Sequence, residues 1–153
     1  IHLPRPAEMP DNRQYIALSV FPNNGQGEKA LSKEKAGQIA EYCKTKGYGV
    51  LQVNGPEEPV IEGALQTNTD FYNAGRAMLS CKMLITGDTA MSWLASAFDL
   101  PTVGVYSLAY YPFCTTSENW RPVNNNAVYF ESHKAEDIPN EQIFNAIDTV
   151  LAS

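Results

Sequence analysis

Residues 83–98 read MLITGDTAMSWLASAF, and they hold the joint on which the fold turns. The first four form a short, uncharged apolar run, the pattern of a strand covered on both faces. Gly87-Asp88-Thr89 interrupts the run. A helical spacing then begins at once, with Met91, Leu94, Ala95 and Phe98 on one face. A strand that passes directly into a helix is the repeating unit of a parallel α/β sheet.

The same alternation extends to both sides. Residues 15–21 (YIALSVF), 49–53 (GVLQV), 102–106 (TVGVY) and 127–130 (AVYF) are further uncharged runs. Ser32 reads as the cap of a helix that ends near Lys46, with Ala36, Ile39, Ala40 and Cys43 on its apolar face and Gly47 as the stop. Asp70 reads as the cap of a second helix, with the stripe Phe71, Ala74, Met78 and Leu79. Residues 140–152 carry Ile143, Ile147, Val150 and Leu151 at helical spacing. Residues 57–69 are ambiguous, a short helix over 57–65 being one reading. The expected fold is α/β, a Rossmann-like, doubly wound, mostly parallel sheet with right-handed crossovers. Residues 1–14, with Pro4, Pro6 and Pro10, read as a linker or extended arm, and residues 15–153 as one domain. The loop over 107–126, about twenty residues long, is of a length that usually carries function or disorder.

Composition narrows the function. The 153 residues include 11 Lys and Arg against 17 Asp and Glu, a formal charge of −6, with 44% hydrophobic and only 18% charged residues. That balance fits a packed domain, and its sign opposes binding to phosphate backbones or anionic lipid. Lys29, Lys33 and Lys35 form the densest basic run, and Glu28 and Glu34 interleave them. Three cysteines without a CxxC pair and two histidines do not make a zinc site, so no metal is expected. No apolar run reaches the length of a membrane span. The sequence opens on Ile1 without a signal-peptide pattern, so the expectation is a processed or excised fragment in the cytoplasm.

In an open parallel sheet ligands bind beyond the carboxyl ends of the strands. The residues expected there are Asn23, Asn24, Gly25, Gln26, Gly27 and Lys29 after the first strand, and Asn54 to Glu58 after the second. Gly87, Asp88, Thr89 and Ala90 follow the third, and Ser107 with Tyr110, Tyr111 and Phe113 the fourth. Gly25-Gln26-Gly27 lacks the third glycine of a dinucleotide fingerprint, since Ala30 stands there. It is either a flexible turn or a loop whose amides, with Lys29, meet a phosphate. Asp88 is either a helix cap or part of a diphosphate site at the helix start. Glu57 and Glu58 are either solvated first-turn charges or acceptors for ribose hydroxyls. Trp93 lies about 100° or more off the apolar stripe of its helix and is expected to be partly exposed; it either lines a ligand site or an interface, or fills a gap between helix and loop.

Three elements in this order resemble the C-terminal domain of the heptosyltransferase-like glycosyltransferases, glycosyltransferase family 9. They are the first-strand loop with Lys29, the Gly55-Pro56-Glu57-Glu58 turn, and the run 81–86 leading into Gly87-Asp88-Thr89 and on through Ala97, followed by Leu100-Pro101-Thr102-Val103-Gly104-Val105-Tyr106-Ser107. The resemblance covers about residues 15 to 130. It implies a GT-B architecture of two Rossmann-like domains, in which this half binds a nucleotide-diphosphate sugar. The missing N-terminal domain then binds the acceptor and supplies the catalytic base. The implied donor-binding residues are Asn24, Lys29, Glu58 (or Glu57), Asp88, Thr89, Ala90 and Trp93, with no catalytic residue assigned in this chain. Lys29 would contact the diphosphate and Glu58 the ribose. Two positions depart from the family pattern, Ala90 in place of glycine and Trp93 in place of histidine, which places a bulky ring beside the implied diphosphate.

The expected function is therefore the donor-binding domain of a heptosyltransferase-like glycosyltransferase, with little turnover from these 153 residues alone. One alternative is a non-catalytic binding or assembly module that keeps the fold with a degenerate donor site. Another is an unrelated flavodoxin-like or hydrolase-type enzyme, which the absence of GxSxG and of histidines near the strand ends disfavours.

Overall fold

The structure, a computed structural model, describes residues 12–109 and 116–153. Among them six strands form one sheet in the order β3-β2-β1-β4-β5-β6, and every neighbouring pair is parallel. These are β1 (Asn12–Ser19), β2 (Gly49–Gln52), β3 (Leu65–Gln66), β4 (Cys81–Thr86), β5 (Thr102–Ser107) and β6 (Ala127–Ser132). Three α-helices lie between strands, α1 (Lys33–Thr45), α2 (Phe71–Leu79) and α3 (Ala90–Ala97), and α4 (Asn140–Ala152) follows β6. The Rossmann-like expectation holds.

Two cores explain the uncharged strands. Ile16, Leu18 and Val20 of the central chain segment, with Met83, Ile85, Val103 and Val105, face α1 and α4. Ala17, Cys81 and Leu84 point the other way, into a second core with Ala74, Met78 and Ala95 from α2 and α3. Each fully buried aliphatic side chain contributes about 1.5–3 kcal/mol, so a charge on either face of β1 or β4 would be expensive.

The helix signals hold where the caps are local. Ser32 accepts a hydrogen bond from the Lys35 amide at 3.0 Å, and Ala36, Ile39, Ala40 and Cys43 are fully buried. Gly47 follows at φ +88°, and its amide donates to the Lys44 carbonyl at 2.9 Å. Tyr42 stacks on Phe144 at 4.1 Å and donates to Asp148 at 2.7 Å, joining α1 to α4.

Several boundaries and faces differ from the sequence reading. β1 begins at Asn12, inside the stretch read as an arm, and ends at Ser19. Val20 and Phe21 stay buried beyond it and lead into a short 3-10 helix, Pro22–Gly25. β4, β5 and β6 run slightly longer than read. No helix forms over residues 57–65. Pro59 supplies no amide donor and Gly63 takes φ +82°, so that stretch turns instead and ends in β3, which pairs with β2. Phe71, the first residue of α2, does not join its core stripe and is 48% exposed, while Ala74, Met78 and Leu79 are buried. On α3 the fully packed residues are Met91, Ser92 and Ala95, while Leu94 and Phe98 only pack against the core's edge. Tyr110, Tyr111 and Phe113 lie outside the described residues. No helix of the described residues is long and apolar enough to cross a membrane.

Candidate functional site

Because the strands are parallel, all their carboxyl ends reach one edge of the sheet, where a cleft of about 390 Å³ opens. Ser19, Phe21 and Pro22 line it from the end of β1, Val53, Asn54, Gly55 and Glu58 from beyond β2. Asp88, Thr89, Ala90 and Met91 line it from beyond β4, and Thr69, Phe71 and Ala74 from the start of α2.

Hydroxyls knit its floor. Thr89 Oγ1 lies 3.1 Å from Ser19 Oγ and 3.1 Å from Thr86 Oγ1, and Thr86 also reaches the Ser19 carbonyl at 3.1 Å. The Gly87 amide donates to the same carbonyl at 3.0 Å. The ends of β1 and β4 are thereby fixed to each other. Gly87 sits close against this joint: an added Cβ would stand 3.4 Å from the Lys29 carbonyl oxygen, at van der Waals contact.

Asp88 is not the helix cap. Thr89 takes the N-cap position without a side-chain cap bond, so among the described residues no hydroxyl or carboxylate caps the first-turn amides of α3. Asp88 instead pairs with Lys29, its carboxylate 2.9 Å from the ammonium, with both side chains 17% exposed. Lys29 is held in place through its own loop. The Glu28 carbonyl accepts from the Ala135 amide at 3.0 Å, and the Leu31 amide donates to the Val20 carbonyl at 3.2 Å.

On the opposite wall, the loop after β2 presents Glu58, half-buried, whereas Glu57 is exposed and does not line the cleft. Burial pushes the Glu58 carboxyl above the usual glutamate range, and a backbone hydrogen bond from Gly55 pulls it partly back. This loop is pinned by Gln52, whose side chain donates to the Pro59 carbonyl at 2.6 Å and accepts from the Ile61 amide at 2.8 Å. Gly25, at φ +86°, brings the β1 loop so close that a Cβ there would lie 2.7 Å from Pro59.

The structure therefore brings Glu58, Asp88, Thr89 and Ala90 to one cleft, with Lys29 ion-paired to Asp88 at its margin. Trp93 is 53% exposed, as its helical angle predicts, but it does not line the cleft, so its ring does not stand among the cleft residues as expected. The side chain of Asn24 lies outside the described residues. Sequence reasoning missed Ser19, Thr86, Gln52 and Phe71. Gln52 had a signal: a polar side chain inside an otherwise apolar strand must find buried partners.

The model of glycosyltransferase family 9 (heptosyltransferase) matches residues 25–148. The chain belongs to this family. Comparison with curated proteins gives no match. Among solved structures, the E. coli heptosyltransferase WaaC with ADP is similar at a TM-score of 0.77 and 14% identity, over 94% of this chain and 47% of that one. E. coli ADP-heptose lps heptosyltransferase II is similar at 0.72 and 15% identity, over 94% and 48%. The glycosyl transferase family 9 protein of Veillonella parvula is similar at 0.72 and 18% identity, over 95% and 48%. The family 9 chain described here thus spans about half the length of these structures, and at such identities the likeness is one of fold.

Proposed function

We propose that this chain is the half of a heptosyltransferase-like glycosyltransferase that binds the nucleotide-diphosphate-sugar donor. The reading is carried by one observation: a strand-end cleft where the uncapped start of α3, the Lys29–Asp88 pair and the half-buried Glu58 meet. WaaC with ADP, and the same protein with ADP-2-deoxy-2-fluoro heptose, are neighbours of the same fold and lend it support.

In this reading the diphosphate lies against the amides of Ala90 and Met91, where the helix dipole favours negative charge. Asp88 holds the Lys29 ammonium beside that turn. Glu58 accepts from the ribose hydroxyls, for which its ionised form is the better acceptor. Transfer breaks the bond between the sugar's anomeric carbon and the diphosphate oxygen, and the bonding electrons leave with the nucleoside diphosphate. The charge that develops is met by groups already in place, Lys29 and the amide dipoles, with no metal assigned to the task. The acceptor and the base that takes its proton belong to the other, N-terminal half of the protein, so this half alone turns over little or no substrate.

Calorimetry with ADP, UDP and GDP tests the reading. Binding is expected for at least one of them at millimolar concentration or below. Lys29→Ala weakens that binding by about 1–2 kcal/mol, the scale of a charge-assisted hydrogen bond. No heat with any of the three would overturn the proposal in favour of a module that keeps only the fold.

A further inference from the structure

The two edges of the sheet differ. β3 is two residues long, whereas β6 pairs with β5 over six residues, from Thr102↔Ala127 to Ser107↔Ser132, without a shift in register. β5 is buried at every position and β6 at none. Residues 127–130, Ala-Val-Tyr-Phe, bring neither charge nor proline to that edge. Two of the usual devices that keep an edge strand from pairing are therefore absent there.

Register decides which backbone groups of β6 face outward. The Thr102 amide donates to the Asn126 carbonyl at 3.1 Å, and the Leu108 amide to the Ser132 carbonyl at 2.9 Å. In a parallel ladder of this register Val128, Phe130 and Ser132 turn their backbone groups to β5, while Ala127, Tyr129 and Glu131 turn theirs away. No hydrogen bond among the described residues occupies those outward amides and carbonyls. They are spaced evenly about Tyr129.

We infer that β6 is a self-association edge whose occupant is β6 of a second copy, running antiparallel about a two-fold axis at Tyr129. That pairing sets Tyr129 against the partner's Tyr129 and Ala127 against the partner's Glu131. Each outward residue then exchanges both backbone bonds with its opposite, and none is left over. Charge selects the register. The chain carries −6 overall, so many approaches of two copies bring carboxylates together. Here Glu131 meets an alanine instead. Ala127 lines a hollow of about 360 Å³ with Tyr129 and Arg121, and the Arg121 guanidinium stacks over the Tyr129 ring at 4.4 Å with Glu118 3.8 Å away. Sliding the strands until Glu131 faces the partner's Glu131 opposes like charges, which is destabilising. β6 lies two strands beyond β4, and none of its residues lines the strand-end cleft.

Sedimentation velocity over a concentration series, with substitutions at Ala127, tests this. The unaltered chain is expected to sediment as a dimer that dissociates on dilution. Ala127→Pro removes an amide that points away from β5, so the ladder to β5 survives while the second copy loses its partner; this variant is expected to stay monomeric. Ala127→Glu sets a carboxylate opposite the partner's Glu131 and weakens association several-fold, whereas Ala127→Lys sets an opposite charge there and does not weaken it. Unchanged unfolding midpoints show that the variants keep the fold. Should Ala127→Pro fail to fold, the contrast between Glu and Lys decides alone. Amide exchange reads the same edge in the unaltered chain: protection of the Tyr129 amide rises with concentration, while the Val128 and Phe130 amides are protected throughout. A chain that stays monomeric at millimolar concentration overturns the inference. So does a dimer that Ala127→Pro and Ala127→Glu both leave intact, or one in which Tyr129 exchange does not depend on concentration.

Discussion

Burial raises the Glu58 carboxyl above the ordinary glutamate range, so the folded chain holds that proton more tightly than the unfolded one does. Stability tied to the protonated form is present below the unfolded value and is lost as pH rises through the raised one. At neutral pH the ionised side chain therefore costs stability, and Glu58→Gln should raise the thermal unfolding midpoint there. The difference should shrink towards acidic pH, where Glu58 is itself neutral; equal midpoints at neutral pH would contradict this account. Nucleotide affinity should move the opposite way, because glutamine replaces a charged acceptor with a neutral one. Trp93 offers a second check on a single side chain. In Trp120→Phe protein its fluorescence should be readily quenched by acrylamide, as 53% exposure requires; a shielded signal would contradict that exposure and place the ring in the packed interior.

Within β2, the side chain of Gln52 ties down the loop that follows the strand. It is 1% exposed, and it occupies the Pro59 carbonyl and the Ile61 amide at the same time. That fixes the loop carrying Glu58. Gln52→Leu keeps the volume and removes both bonds, leaving two backbone groups without their partner at about 1–3 kcal/mol each. A loss of about 2–6 kcal/mol is expected in urea titration, with weaker nucleotide binding in whatever fraction remains folded. A loss below the cost of one such group would mean that water replaces the amide. The start of α3 differs in kind: Thr89 gives up its capping bond to join Ser19 and Thr86, so the helix begins uncapped and the strand ends are tied instead.

Across the whole molecule the two cores are closed on both faces of the sheet, and Cys43 and Cys81 lie one in each. Burial pushes each thiol up to about 12, far from the thiolate form that reacts. Neither cysteine should be modified by maleimide in the native protein, while both should label after unfolding, as read by peptide mass spectrometry. Labelling of Cys43 under native conditions would show that α1 separates from the sheet.

The alternation of uncharged runs with 3.6-residue stripes was enough to specify a parallel sheet with helices on both faces, because a strand buried on both sides cannot afford charge. Caps at Ser32 and Asp70 were equally readable, since each acts on an amide three residues away. The strand-end placement of Asp88, Thr89 and Glu58 followed from topology alone. What the sequence left open depended on residues distant along the chain. Glu57 and Glu58 differ in burial in a loop that Gln52 holds through the Pro59 carbonyl and that Gly25 approaches closely. Asp88 became the partner of Lys29 instead of a cap because two strand ends lie side by side. Phe71 left its predicted stripe for the wall of a cleft that loops after β1, β2 and β4 also line. Local hydrogen bonds and periodicity are written in neighbouring residues, whereas the contents of a cleft depend on which loops the fold brings together.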